Sequence, residues 1–309
     1  MKKIFMSGCG GMLGEAFYEV FKNSYQLKCT DIDLNEEWLS YLDFRNLDAY
    51  FSSVQKFMPD YLFHIGAHTD LEYCETNIND AYLTNTTSVE NAVFVANSLD
   101  IPLLYISTAG IFDGKQDIYD DWALPNPICH YARSKYAGEQ FVLQHAKFPI
   151  VLRAGWMMGG GPKKDKKFVS KILNQIKLGK KTLHIVNDKL GTPTYTYDFA
   201  NNAKIIIENK LWGLYNLVCQ GVTGRLEVAK RILSVCDLET KIEIIEVNSE
   251  HFTEDYFVAR PNSERLINKK IPFRGLYQMR DWKNFFGEYF TKIYKDFLLK
   301  SLVLFCPNV

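Results

Sequence analysis

The most restrictive feature of this 309-residue sequence lies near its start, where a short apolar run leads into closely spaced glycines. Residues 3–7 predict a strand, and residues 16–21 have the apolar spacing of a helix. Glycines between a strand and a helix let the backbone turn tightly, so that amide N–H groups and the helix N-terminus can approach a pyrophosphate. The turn therefore predicts a dinucleotide-binding site. Its predicted contact residues are Gly8, Gly10, Gly11, Met12, Leu13 and Gly14.

The rest of the N-terminal half alternates apolar runs with helical stretches. A strand followed by a helix, repeated several times, is typical of a parallel sheet with helices on both faces. We therefore expect an α/β fold built on a Rossmann-type, doubly wound parallel sheet. Strands are predicted at residues 27–30, 61–65, 103–107 and 150–152, and helices at residues 77–98 and 131–144.

The regular alternation weakens after Arg153, which indicates a second, smaller lobe. We expect residues 1–155 to form the dinucleotide-binding domain, with residues 191–218 returning to it. Residues 156–190 and 219–309 would then form an interleaved C-terminal lobe that binds the substrate. Further elements are predicted as helices at residues 168–177 and from Asp198, and as strands at residues 215–218 and 242–247.

An acid that ends the second predicted strand bears on the choice of cofactor. Asp31 stands 23 residues after Gly8, close to the expected position of an acid that binds the adenosine ribose hydroxyls. A carboxylate there repels the 2′-phosphate of NADP(H), and residues 30–35 contain no lysine or arginine that could neutralise that phosphate. The sequence therefore favours NAD(H) as the cofactor and leaves NADP(H) open.

A second acid, Asp43, precedes Phe44 after the next turn of the chain. Two interpretations of Asp43 fit the sequence equally well. Its carboxylate could meet the adenine amine, with Phe44 beside the cofactor, or it could cap the following helix.

The composition argues against several classes of protein. The 36 lysines and arginines balance 36 aspartates and glutamates, so the chain offers no uniform positive field for nucleic acid or an anionic membrane. No apolar run reaches the roughly 18 residues that span a bilayer, and the start lacks the apolar core of a signal peptide. We therefore expect a cytoplasmic protein. The apolar tail, residues 297–305, is interpreted as a packed terminal helix or a contact with a partner.

Cysteine and histidine give no sign of a metal centre or a disulfide framework. The seven cysteines are scattered without a C-x-x-C pair, and the six histidines lack metal-ligand spacing. We therefore expect reduced, buried thiols and no bound metal.

Tyr131 and Lys135 lie four residues apart on a predicted helix, so both side chains can face one cleft. Tyr18 and Lys22 repeat this spacing in the first helix, where we interpret them as surface residues. Tyr131 differs because a hydroxyl pair, residues 107–108, ends the fourth strand, and ligands bind at the carboxyl ends of parallel strands. A neighbouring ammonium lowers the pKa of a phenol, which lets the phenol exchange a proton near neutral pH.

At this point the sequence resembles the extended short-chain dehydrogenase/reductase superfamily and, within it, the dTDP-4-dehydrorhamnose reductase (RmlD-like) family of nucleotide-sugar reductases. The resemblance runs from Met1 to about Trp282 and depends on eight blocks that occur in the family's order. One of these blocks is Tyr131-Ala132-Arg133-Ser134-Lys135 with the four residues after it. The others lie at residues 8–14, 66–75, 85–89, 107–108 with 112–114, 152–156, 187–194 and 260–263.

The resemblance implies an NAD(P)H-dependent reductase of a 4-keto-6-deoxy nucleotide sugar. Tyr131 would be the general acid, Lys135 would lower the pKa of Tyr131 and hold the nicotinamide ribose, and Thr108 would hydrogen-bond the substrate carbonyl. Trp156 would meet the sugar, with packing in the core as the alternative. The other cofactor-binding residues that the resemblance implies are Gly66, Ala67, His68, Asn85 and Ser107.

The sequence departs from the family pattern at two places, and the first is on the substrate side of the predicted cleft. Ala109-Gly110 stand where Asp-Tyr usually follows the Ser-Thr pair, which removes a carboxylate and an aromatic hydroxyl. His64-Ile65 replace the usual Asn-Ala. We infer a reductase of a different sugar nucleotide, or a changed orientation of the same kind of sugar.

The nucleotide diphosphate of such a substrate needs a cation to bind it. Arg153, Arg260 and the lysines after Pro162 are available. Arg260 is the preferred candidate because it belongs to an Arg-Pro block of the family, and a structural salt bridge is the competing interpretation.

Two other functions occur on this fold and stay open at this point. A nucleotide-sugar epimerase uses the same Tyr-x-x-x-Lys pair but causes no net change in its cofactor. A regulatory subunit of methionine adenosyltransferase binds a dinucleotide without catalysis, although the proton donor Tyr131 with Thr108 and Lys135 argues against that role. The sequence also leaves open the nucleotide, the sugar and whether the protein is a homodimer.

Overall fold

The computed structural model describes residues 1–294, so the apolar tail at residues 297–305 lies outside the described residues. The strands are β1 Lys3–Ser7, β2 Gln26–Asp31, β3 Leu39–Tyr41, β4 Tyr61–His64, β5 Leu103–Thr108, β6 Pro149–Ala154, β7 Trp156–Met158, β8 Thr182–Val186, β9 Leu190–Gly191, β10 Pro193–Tyr195, β11 Gly213–Asn216, β12 Thr223–Gly224, β13 Glu243–Val247 and β14 Ser263–Glu264. The helices are α1 Met12–Phe21, α2 Leu47–Phe57, α3 Leu71–Thr76, α4 Ile78–Tyr82, α5 Ser88–Ser98, α6 His130–His145, α7 Gly161–Lys164, α8 Phe168–Lys177, α9 Thr196–Glu208, α10 Arg225–Val235 and α11 Trp282–Ile293.

Seven strands form one parallel sheet in the order β11-β6-β5-β4-β1-β2-β3. The strand order reverses between β1 and β4, because the chain builds outward from β1 to β3 and then crosses to β4. Ligands bind in the crevice at such a reversal, outside the carboxyl ends of the strands. The predicted Rossmann-type, doubly wound sheet is confirmed, and the glycine turn after β1 lies at the reversal.

Helices cover both faces of the sheet, and each face has its own apolar core. On one face the rings of Phe17 and Phe63 meet edge to face at 5.7 Å, and Phe17 also contacts Phe199 of α9. On the other face Tyr50 of α2 and Val89 of α5 are fully buried against the sheet. Burial on both faces accounts for strands that are apolar throughout instead of alternating.

The helix predicted at residues 77–98 is interrupted by a wider turn. The chain runs through α4, a π-helical turn at Leu83–Thr87, and α5. The prediction for residues 168–177 matches α8 at both ends. Strand β3 was not predicted because it contains only three residues, too few for a periodic pattern.

The smaller lobe contains three short sheets, formed by β7 with β10, β8 with β13, and β9 with β12 and β14. Residues 213–216 leave this part of the chain and form the edge strand β11 of the main sheet. The segment predicted to return to the dinucleotide-binding domain, residues 191–218, includes this strand and also β10, which pairs with β7. The domain limits themselves stay a prediction.

Across residues 1–294, no helix has both the length and the apolar character needed to cross a bilayer. In the same part of the chain, no three metal-binding side chains come together. The six cysteines that it contains are all buried and free of disulfides.

Candidate active site

The glycine turn after β1 brings two backbone segments into direct contact. Gly8 has φ +80°, which favours glycine, and a side chain on it would overlap the backbone of Gly66. The amides of Gly8 and Cys9 donate to the carbonyl of Thr30 at 2.9 and 3.1 Å. No atom lies within 4 Å of the position that a side chain of Gly11 would take. The start of α1, with Met12 and Leu13 as its first residues, thus has room for a pyrophosphate beside it.

Asp31 is fixed at the edge of this turn by two backbone amides. Its carboxylate accepts from Gly10 N at 2.7 Å and from Asp33 N at 2.9 Å. A methyl group on Gly10 would lie 3.0–3.2 Å from atoms of the Asp31 carboxylate and would crowd it. This geometry suits the predicted contact of Asp31 with the adenosine ribose.

Two lysines that the sequence did not connect with this site lie beside the same loop. Lys163 Nζ donates to the carbonyl of Asn35 at 2.7 Å, and it lies 2.8 Å from the Glu36 carboxylate. The buried Lys164 Nζ lies 3.0 Å from the same carboxylate. Residues 30–35 contain no lysine or arginine themselves, but the fold brings two lysines of α7 next to them.

Asp43 does not cap the following helix, so that interpretation was wrong. The cap of α2 is Asn46, whose side chain accepts from Ala49 N. Asp43 instead pairs with Arg45 at 2.7 Å, and this guanidinium also lies 3.1 Å from Asp80. Hydrogen bonds from Arg45 lower the pKa of Asp43. The contact of Asp43 with adenine stays a prediction.

The segment from Gly66 to His68 is held rigidly next to the glycine turn. The ring of Phe44 packs against Gly66 so closely that a side chain there would overlap it. The buried Asn85 accepts from His68 N at 2.8 Å and donates to His68 O at 3.0 Å. Phe44 and Asn85 therefore position this segment, and the cofactor contacts predicted for them and for Ala67 stay predictions.

Two residues that carry hydroxyl groups, Thr108 and Tyr131, meet where β5 ends. Thr108 is the last residue of β5, and Tyr131 lies in the first turn of α6. A methyl group placed on Gly110 would lie 3.5 Å from Thr108 Oγ1 and 3.6 Å from Tyr131 Cε1. Lys135 follows Tyr131 by one helical turn and is 4% exposed, with its ammonium 4.2 Å from the centre of the Tyr105 ring. The structure therefore brings Thr108 and Tyr131 together, while the nearest aromatic ring to the Lys135 ammonium is that of Tyr105.

The electrostatics of this group differ from the expectation in one respect. Burial raises the pKa of the Tyr131 phenol, Glu264 raises it further, and a hydrogen bond with Thr108 opposes the rise. Burial also lowers the pKa of Lys135 to about 7, against the attraction of Glu139. The expected lowering of the Tyr131 pKa by Lys135 is therefore wrong for the protein alone, since burial dominates both groups. The phenol stays protonated near neutral pH, which is the form that a proton donor needs.

Ser107, the other member of the hydroxyl pair, turns into the core. Its hydroxyl donates to Glu139 at 2.6 Å. Glu139 and Arg153 form a buried, bidentate ion pair with contacts of 2.6 and 3.0 Å. Arg153 is thus excluded as a cation for the substrate, and any cofactor contact of Ser107 would come from its backbone.

On the far side of the cleft, Trp156 carries two charged neighbours that the sequence did not identify. Its indole Nε1 donates to Glu264 at 2.7 Å. The guanidinium of Arg225 stacks on the Trp156 ring at 3.7 Å and contacts Phe168 at 4.7 Å. Burial lowers the pKa of Arg225 to about 10. Among the described residues, Arg225 forms no ion pair with a carboxylate.

Arg260 forms a salt bridge, as the competing interpretation of its role predicted. Its guanidinium lies 2.8 Å from Glu72 and donates to the carbonyl of Val258 at 3.0 Å. This pair is partly exposed and joins the smaller lobe to α3. The predicted contact of Arg260 with the substrate diphosphate stays a prediction.

The sequence matches one family of proteins over nearly its whole length. Residues 1–295 match the family described as RmlD substrate binding domain. The chain belongs to this family. The predicted resemblance to RmlD-like proteins is therefore confirmed, and it extends over both lobes.

Individual members of the family are similar over nearly their full lengths. The dTDP-4-dehydrorhamnose reductase of Aggregatibacter actinomycetemcomitans is 27% identical, with 92% of this chain and 96% of that protein covered. The spore coat polysaccharide biosynthesis protein SpsK of Bacillus subtilis is 28% identical, with 94% and 97% covered. The crystal structure of the Bacillus anthracis dTDP-4-dehydrorhamnose reductase in complex with NADP has a TM-score of 0.86 and 27% identity, with 94% of this chain and 100% of that chain covered.

Proposed function

We propose that this protein is an NAD(P)H-dependent reductase that converts the ketone of a 4-keto-6-deoxy nucleotide sugar to an alcohol. The observation that carries the proposal is the meeting of Thr108, Gly110 and Tyr131 at the carboxyl end of β5, opposite Trp156 of the smaller lobe. Relatives named as dTDP-4-dehydrorhamnose reductases support this class of substrate.

The glycine turn supports binding of a dinucleotide, because the space before Gly11 is open beside the N-terminus of α1. When bound, the nicotinamide supplies the hydride for the ketone carbon. Lys135 is proposed to hold the nicotinamide ribose. Hydrogen bonds from its ammonium to ribose hydroxyls favour the charged form, so they raise its pKa from about 7.

Tyr131 is proposed to donate the proton that completes the reduction. Burial keeps this proton on the phenol until negative charge develops on the substrate oxygen. An alkoxide is a stronger base than a phenolate, so the transfer is favourable even from a phenol with a raised pKa. Thr108 would bond the same oxygen and so align the carbonyl with Tyr131.

Arg225 is proposed as the main cation for the diphosphate of the substrate. Pairwise contacts connect Glu264 with Trp156 and Trp156 with Arg225, so this cation is near the group that the proposal assigns to the sugar. Glu264 attracts the Arg225 guanidinium without forming an ion pair with it among the described residues, so the guanidinium keeps its donors for an anion. Arg260 is a second candidate because its pair with Glu72 is partly exposed.

Replacing Arg225 should weaken substrate binding without affecting the cofactor. Arg225→Gln is expected to raise the KM for the nucleotide sugar about 10- to 100-fold, because a hydrogen bond to a charged group contributes about 1.5–3 kcal/mol. The KM for NAD(P)H should stay within about twofold. Lys230→Gln, which removes an exposed cation from the same helix, is the control. An unchanged KM in Arg225→Gln would show that the diphosphate binds elsewhere.

NADH is proposed as the preferred cofactor because Asp31 borders the site of the adenosine ribose. At an effective dielectric constant of about 20, two unit charges about 4 Å apart interact by about 4 kcal/mol before screening. A quarter of that energy would favour NADH about fivefold. The positive charges of Lys163 and Lys164 would attract a 2′-phosphate and so oppose this preference. Both lysines contact the Glu36 carboxylate, which offsets part of their charge.

Removing the charge of Asp31 should shift the preference towards NADPH. Asp31→Asn keeps an oxygen for the Gly10 amide and is expected to raise the ratio of kcat/KM for NADPH to that for NADH about fivefold. Asp33→Asn, at an exposed position, is the control. A wild-type protein that prefers NADPH tenfold or more would mean that the α7 lysines, not Asp31, determine the choice.

The proposed function is tested by incubating the purified protein with NADH or NADPH and a panel of 4-keto-6-deoxy sugars linked to dTDP, GDP, UDP or CDP. The expected result is loss of nicotinamide absorbance that depends on one or more of these sugars. Product analysis should find the 4-hydroxy sugar in an amount equal to the cofactor consumed. Absence of cofactor oxidation with the whole panel would reject the proposal.

A further inference from the structure

The carboxylate of Glu264 lies near Thr108 and Tyr131, although Glu264 belongs to the short strand β14 of the smaller lobe. A methyl group on Gly110 would lie 3.4 Å from Glu264 Oε1, next to Thr108 and Tyr131. Glu264 also interacts electrostatically with Tyr131, because its negative charge raises the pKa of the phenol. Three groups from two lobes thus surround the small space in front of Gly110.

The two carboxylate oxygens of Glu264 differ in their hydrogen bonds. Oε2 accepts from the indole of Trp156 at 2.7 Å. Among the described residues, no donor bonds Oε1, which is the oxygen that faces Gly110. A partly buried carboxylate oxygen without a donor is suited to accept a hydrogen bond from a ligand.

We propose that Glu264 binds the hydroxyl group on C3 of the sugar, next to the ketone at C4, and so selects substrates that carry a free hydroxyl there. The inference rests on the proposed function, in which Thr108 and Tyr131 hold the carbonyl oxygen. A substituent one bond from the ketone carbon then falls in the space before Gly110. A carboxylate accepts from a hydroxyl but repels an ether oxygen or a second carboxylate, because neither supplies a proton.

Gly110 is part of the same subsite because it leaves this space free. Its backbone is not in the left-handed region, and a methyl group on it would make only ordinary van der Waals contacts of 3.4–3.6 Å. Gly110→Ala should therefore fold normally and yet occupy the space assigned to the C3 hydroxyl.

The first test measures the KM of Glu264→Gln for dTDP-4-dehydrorhamnose and for its 3-deoxy counterpart. The amide oxygen can still accept from Trp156, while the amide nitrogen replaces the free acceptor. We expect the KM for the hydroxylated sugar to rise about 10- to 100-fold, and the KM for the 3-deoxy sugar to change less than about twofold. Gly110→Ala should raise the first KM similarly. Asp117→Asn, which alters an exposed carboxylate near the same strand, should change neither.

The second test separates this inference from the proposed function, because it does not depend on turnover. Calorimetry would give the Kd of dTDP-rhamnose, which carries the C3 hydroxyl, for the wild type and Glu264→Gln in the presence of NADP⁺. A 10-fold or greater weakening in the variant supports the inference even if the protein reduces none of the tested ketones. Equal Kd values, or equal effects of the substitution on hydroxylated and 3-deoxy sugars, would overturn it and leave Glu264 as a support for Trp156. Failure of wild-type protein to bind dTDP-rhamnose would overturn it as well.

Discussion

Tyr131→Phe is expected to lower turnover by about 10²- to 10⁴-fold, which is the usual contribution of general acid–base catalysis. The substitution removes only the phenolic oxygen, so the ring still fills its partly buried place beside Thr108. We expect normal folding and unchanged affinity for NAD(P)H, because Lys135 and the glycine turn are intact. Stopped-flow measurement of cofactor oxidation under saturating substrate measures the effect on the chemical step.

A matched control for Tyr131→Phe exists in the chain itself. Tyr18 and Lys22 have the same spacing on α1, but Tyr18 stacks on Trp38 at 4.2 Å and Lys22 bonds Glu19 at 2.7 Å on the surface. Tyr18→Phe should keep wild-type turnover. If Tyr131→Phe stayed within a few-fold of the wild type, Tyr131 could not be the proton donor.

Glu139→Ala is expected to destabilise the fold by about 3–5 kcal/mol, because it leaves the charge of Arg153 buried without a partner. The Arg153 side chain is 2% exposed and Glu139 is fully buried, so water cannot replace the lost contacts. Ser107 loses its acceptor in the same variant. Urea unfolding followed by circular dichroism measures the change in the free energy of unfolding.

The pair Glu139→Leu with Arg153→Met is the control for this second prediction. Replacing both charges with apolar side chains removes the unpaired charge, and such replacements are often neutral or stabilising. The double variant should therefore be more stable than Glu139→Ala. A loss below about 1 kcal/mol in Glu139→Ala would contradict the account of a buried ion pair that depends on both members.

Much of the fold could be predicted because its determinants are local. The turn containing Gly8 needs a positive φ, and the sequence indicates this by a glycine directly after an apolar strand. Residues 168–177 are long enough to show a helical period, and residues 103–107 form a continuous apolar run, so they were predicted as the elements that became α8 and β5. The three-residue β3 is too short to show one, so only its pairing with β2 defines it.

The proposed catalytic residues could be selected from the sequence for a similar reason. Tyr131 and Lys135 lie within two turns of one helix, and Thr108 ends a recognisable strand. Their pKa values were not predictable, because burial depends on the whole fold. The expected ammonium effect on Tyr131 was therefore overturned by desolvation.

The substrate half could not be derived from spacing. Glu264 reaches Gly110 across more than a hundred residues of sequence, and Arg225 reaches Trp156 from the first residue of α10. Such contacts exist only after the lobes have folded together. No local pattern indicated that the carboxylate of Glu264 would lie beside Gly110. The salt bridge between Arg260 and Glu72 likewise joins residues that are far apart in the sequence.

The most direct test of the proposed function is transfer of deuterium from cofactor deuterated at the reactive hydrogen of the nicotinamide C4. The protein would be given dTDP-4-dehydrorhamnose with this cofactor, and the product examined by mass spectrometry and proton NMR. The account predicts one deuterium on C4 of the product sugar for each cofactor molecule oxidised. A sugar that changes its configuration without deuterium and without cofactor oxidation would identify an epimerase and contradict the account.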